Sequence, residues 1–185
     1  VRTFEAMEML ETINPIPGFV SRSYVSIDES TGHGGEWHVS EDGKWKWKAD
    51  TSSDEIAGHM FAYPIFYELV AKGEIKERAK NLVHRLMSHI VDNNFYLIDL
   101  DGHPTRWGVW SPDSLNNSTD WWYEKGINSL QILSHLEGAY FVTGDEKFEK
   151  AYRTLVEDHH YVENMAQQKM HFPYEINHSD DELAF

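Results

Sequence analysis

The chain has 185 residues, 41% apolar, 14% aromatic and 25% charged, a length that makes about one domain with a sizeable core. Its 16 Lys and Arg against 31 Asp and Glu leave a net charge of −15, which repels phosphate backbones and argues against nucleic acid as a partner. There is no cysteine, which excludes disulfides, thiol catalysis and cysteine-type zinc sites, and no apolar run approaches the ~18 residues of a membrane span.

In chain order, a first helix is expected over 3–13. A long connection over 14–53 follows, in which Trp45 and Trp47 alternate with Lys44, Lys46 and Lys48, the period of a short strand or hairpin with one aromatic face. Residues 56–71 are apolar on nearly every side, the pattern of a buried helix, and Pro64 inside them predicts a kink. Residues 74–92 carry Ile75, Ala79, Leu82, Val83, Leu86 and Ile90 as one stripe, an amphipathic helix with a solvated face.

A second long connection, 93–125, holds Asp99-Leu-Asp101-Gly102. This resembles the opening of a calcium loop but lacks the third acid and the terminal Glu, and reads instead as the turn of a hairpin between 95–100 and 103–109. Residues 127–142 again read as a helix apolar all round. Residues 145–163 read as an amphipathic helix carrying Phe148, Ala151, Tyr152, Leu155, Val156 and Val162. A third long connection, 164–180, leads to Ser179-Asp-Asp-Glu-Leu-Ala-Phe185, which reads like a helix start cut short. The chain, beginning at Val1, is expected to be a single domain over 1–185 that forms part of something longer.

Two of these units are a repeat. Gly73-Glu74 aligns with Gly144-Asp145, 71 residues on, superposing buried helix, glycine turn and amphipathic helix. Glycine at the end of each buried helix is expected as a left-handed cap. Ser52-Ser-Asp-Glu-Ile-Ala57 matches Ser179-Asp-Asp-Glu-Leu-Ala184 as a third start. Stacked in one sense, such hairpins would put every long connection on one face, and all seven Trp lie in those connections or at the buried-helix entrances.

The expected fold class is therefore all-α: repeated helical hairpins of the (α/α) toroid type, inner helices buried, outer helices amphipathic, with short β-hairpins in the long connections. More narrowly, the chain resembles the six-hairpin glycosidase superfamily, through residues 45–59 (WKWKADTSSDEIAGH), 105–110 (TRWGVW) and 177–183 (NHSDDEL). Such segments occur in bacterial proteins of uncertain function. At about three hairpins the chain would make half a toroid, so its exposed edges imply either a missing second half or self-association. The resemblance implies a carbohydrate-facing cleft at the inner-helix entrances, with paired carboxylates and aromatic sugar subsites.

Asp50, Asp54 and Glu55 at the first entrance and Asp180, Asp181 and Glu182 at the third form two acidic clusters. The candidate acids are Asp54 and Glu55 from the first and Asp181 from the other, one from each acting as general acid and base in glycoside hydrolysis or in elimination. The plainer reading is that Ser52-x-x-Glu55 and Ser179-x-x-Glu182 are capping boxes. His59, one turn after Glu55, is either that acid's partner in the cleft or a core histidine, and His178 precedes the last cluster. Trp47, Trp107, Trp110, Trp121 and Trp122 would bind the sugar, the last four stacking on pyranose faces or else plugging the open end of the helices. Arg106 would grip a uronate carboxylate.

The partner expected on these grounds is an oligo- or polysaccharide, cleaved by a hydrolase or lyase; the alternative is a glycan-binding or structural module without catalysis. A cleft holding two carboxyls roughly 5–10 Å apart would indicate an enzyme. Trp faces on an open surface, with the acids occupied in caps, would indicate a binding module. No phosphate loop, nucleotide fingerprint or Ser-His-Asp context appears. The eleven histidines include no i, i+4 zinc pair, so neither cofactor nor metal is implied.

Overall fold

The apolar and amphipathic stretches fold as helices whose ends follow the capping chemistry in the sequence. The computed structural model describes residues 1–32 and 34–166. Along them run α1 (Arg2–Thr12), β1 (Ser23–Ser26), β2 (Trp37–Val39), β3 (Trp45–Lys48), α2 (Ser53–Leu69), α3 (Glu74–Asp92), β4 (Tyr96–Ile98) and β5 (Pro104–Val109). A short α4 (Pro112–Leu115) and a 3-10 turn (Thr119–Trp121) then lead to α5 (Lys125–Thr143), α6 (Glu146–Glu157) and α7 (Tyr161–Met165).

The amphipathic stripe of α3 is buried as its spacing requires: Ala79, Leu82, Val83, Leu86 and Ile90 are all in the core. Gly144 ends α5 in the left-handed conformation, its N–H on the carbonyl of Tyr140. Gly73 also has a positive φ, but it begins α3 rather than capping α2, which ends at Leu69. The helix α2 continues through Pro64. The helix expected over 145–163 is two helices, because His160 adopts a left-handed conformation and turns Tyr161 inward. There the Tyr161 hydroxyl, fully buried, donates to the carbonyl of Trp110.

The all-α expectation is overturned. The described residues are 55% helical and 12% strand, with two small antiparallel sheets as part of the framework, so they do not form a repeated all-α toroid. In the first sheet, ordered β1-β3-β2, Trp47 of β3 lies opposite Tyr24 and His38. Its ring is 1% exposed and packs edge-on against Phe19. The second sheet pairs β4 with β5, and the chain leaving it delivers Trp110, fully buried. Two of the largest side chains in the core thus come from segments that the hairpin-repeat reading treats as loop decoration.

The helices also depart from an inner ring around an outer ring. Helix α5 is central, packed by α2, α3, α4, α6 and α7. Gly138 permits the α2–α5 approach, since a β-carbon there would stand 3.3 Å from the Pro64 ring. The buried polar residues of α5 hold the chain around it. Asn128 donates to the carbonyl of Val109 at 3.0 Å, and Gln131 accepts from the indole N–H of Trp110 at 2.9 Å. Expected to be buried on every side, α2 is buried on one face only: Phe61 and Leu69 are 74% and 75% exposed. Among the described residues, no helix is long and apolar enough to cross a membrane.

Candidate functional site

The first two long connections meet at Asp50, between β3 and α2. Asp50 is held at φ +53°, a left-handed conformation that aspartate tolerates better than most residues. Its backbone N–H donates to Asp99 Oδ2 at 2.7 Å, across to the β4–β5 turn. Its carboxylate accepts from the Arg106 backbone N–H at 2.9 Å and from the Arg106 guanidinium at 3.1 Å. Behind it, Arg22 donates to the Asp50 carbonyl at 3.2 Å and to Glu55 Oε1 at 3.1 Å. This seam ties the start of α2 to the strand that carries Trp107.

The expected site residues within the described part each have a definite place. Glu55 closes a capping box: its Oε2 accepts from the Ser52 N–H at 2.7 Å and from the Ser52 hydroxyl, while Oε1 takes Arg22. Both oxygens are therefore occupied in holding the helix start. Asp54 is exposed in the first turn, with the Ser52 hydroxyl 3.5 Å from its carboxylate. His59 is a core histidine, 5% exposed, with Nδ1 2.6 Å from the Tyr63 hydroxyl. Burial drives its pKa down to about 4 although the Glu55 carboxylate pulls the other way. Asp181 and His178 lie outside the described residues, so the described part holds only the first acidic cluster.

The tryptophans divide into two sets. Trp47 and Trp110 are core residues with no face available to a sugar. Trp107 and Trp122 are 42% and 57% exposed, and Tyr123, next after Trp122 in the chain, is 37% exposed. Trp121, partly buried, meets Trp107 edge-on with ring centres 6.2 Å apart and planes at 71°. Trp121 and Trp122 sit where the 3-10 turn, opened by the Ser118 hydroxyl on the Asp120 N–H, runs into α5. Arg106 precedes Trp107 on β5, its side chain is 70% exposed, and one guanidinium nitrogen donates to Asp50 Oδ2.

Three participants escaped the sequence reading. Asp50 figured there only in an acidic cluster and Asp99 only in a turn; their joint role depends on a contact across 49 residues. Tyr123 had a visible signal, since it directly follows two tryptophans. No protein-family model matches the chain, nor does any curated protein or solved structure.

Proposed function

We propose that this protein binds saccharide without cleaving it, through the open aromatic surface of Trp107, Trp122 and Tyr123. The observations that carry the reading are the exposure of Trp107, next to Arg106 on β5, and of Trp122 and Tyr123, which follow directly on the Trp121 that meets Trp107, while Trp47 and Trp110 are wholly in the core. Flat aromatic faces suit the axial C–H surfaces of pyranose rings, and exposed aromatic patches of this kind mark binding sites. Trp121 braces Trp107 from the side, which fixes a platform before any ligand arrives. Of the two candidate acids at the first entrance, Glu55 is bound up in a helix cap and an ion pair, while Asp54 lies exposed in the first turn of α2.

The test is a panel of neutral oligosaccharides titrated calorimetrically against the native chain and against Trp107→Ala and Trp122→Ala. Each variant should weaken binding by about tenfold or more, as truncating an interface tryptophan usually does, with the circular dichroism unchanged. Two results would defeat the proposal: unaltered affinity in both variants, or no saturable binding to any sugar. Release of reducing ends or unsaturated sugars that Asp54→Asn abolishes would restore the enzymatic reading in its place.

A further inference from the structure

A cavity of about 410 Å3 opens between the C-terminal end of α1 and the turn joining β2 to β3, a part of the molecule that the aromatic platform does not use. That volume lies in the lower part of the range of ligand-binding clefts, roughly 300–1,000 Å3. Met9 and the buried Ile13 make an apolar floor, and the half-buried Trp45 makes a wall. Tyr24 meets Trp45 edge-on, ring centres 5.5 Å apart, and holds the indole in place.

The rim contributed by the β2–β3 turn is acidic and rigid. In the turn, the Ser40 hydroxyl donates to Asp42 Oδ1 at 2.7 Å and accepts from the Trp45 N–H at 3.1 Å, while the Lys44 N–H donates to the same Asp42 oxygen at 3.1 Å. Gly43, at φ +68°, lets the chain close the turn tightly, with its N–H on the Ser40 carbonyl. These bonds hold the Asp42 carboxyl below the usual carboxylate range, so it stays ionised. They occupy one oxygen and leave Oδ2 with only the Lys44 ammonium, 3.8 Å away on a side chain 75% exposed. Glu41, next to it on the rim, has no hydrogen-bond or ion-pair partner among the described residues.

We propose that this cleft binds a small organic cation, a quaternary or primary ammonium carried on a short apolar body. The ammonium sits over the Trp45 ring and between the Asp42 and Glu41 carboxylates, and its carbon body lies on Met9 and Ile13. Two carboxylates against one mostly solvated lysine leave the rim negative, which repels an anionic ligand. A neutral sugar would gain nothing from the unpaired Glu41, whereas a cation meets charge and π-face together. The net charge of −15 raises the local concentration of any such cation.

The probes are choline and 3,3-dimethylbutan-1-ol, its neutral carbon isostere, titrated into the full chain by calorimetry at low and high salt. Choline is expected to bind saturably and the isostere at least roughly tenfold more weakly, the discrimination a desolvated cation–π contact with carboxylates gives. Trp45→Leu and Glu41→Gln should each weaken choline by roughly fivefold or more, and added salt should weaken it further. Glu41 holds no part of the fold, so Glu41→Gln reads the charge without disturbing the turn. The proposal is overturned if choline does not saturate, if the isostere binds equally well, or if both variants bind choline as the native chain does.

Discussion

Two buried imidazoles should make this protein lose stability between pH 7 and pH 5, a window in which paired carboxylates change little. His59 and His135 are 5% and 4% exposed, and burial lowers their pKa values to about 4 and about 3. At pH 7 both are neutral in the folded chain and mostly neutral in the unfolded one, so they contribute little there. As pH falls through about 6.5 the unfolded chain takes up protons that the folded core refuses, and the folded state loses ground with each step. At pH 5 the difference amounts to about 2 kcal/mol per histidine, or about 4 kcal/mol for the pair. That is a large part of a typical domain stability of roughly 5–15 kcal/mol. His89, also lowered by burial, adds in the same direction. Urea unfolding followed by circular dichroism at pH 7, 6 and 5 measures the loss directly. In His59→Gln and His135→Leu the pH 7 to pH 5 loss should shrink by about 2 kcal/mol each, whatever the substitution does to stability at pH 7. Equal losses in the native chain and the double variant would refute the reasoning.

Three further outcomes follow from single contacts. Glu55→Ala should cost about 1 kcal/mol by undoing the capping box, leave saccharide binding unchanged, and show in chemical denaturation as a lower midpoint with the same slope. Gly18→Ala should destabilise by about 2 kcal/mol or more. Gly18 sits at φ +80°, and a β-carbon there would lie 2.2 Å from the backbone oxygen of Arg85; thermal unfolding checks the loss. Arg85→Met should cost about 3 kcal/mol, because it strips both guanidinium bonds, each 2.8 Å, from the buried carboxylate of Glu11; stability unchanged in urea titration would contradict the assignment of that pair.

Much of the helical framework was readable in advance because its signals are local. The stripe over 74–92 needs no partner to be seen, and α3 fills that span residue for residue. Ser52 with Glu55 states its own cap, and Asp99 to Gly102 turns as its residues suggest. The break at His160 was hidden because the reason for it, the carbonyl of Trp110, lies 51 residues away from the hydroxyl that seeks it. The site divides along the same line. That tryptophans crowd the long connections was plain in the sequence, but which of them would be platform and which would be core was not. Trp107 and Trp110 differ only in what comes to cover them: Gln131 and the chain around α5 enclose one, and nothing encloses the other to the same degree.

The sequence by itself determined the acidic surface, the helix stripes, the glycine turns and the supply of aromatic rings, because composition, periodicity and capping act within a few residues. Only the tertiary structure decided that the sheets belong to the core, that Arg22 takes the second oxygen of Glu55, and that Asp50 joins two distant connections next to the strand that carries Trp107. Those outcomes rest on burial and on hydrogen bonds between segments far apart in the chain, and hydropathy along a single stretch carries no record of what will pack against it.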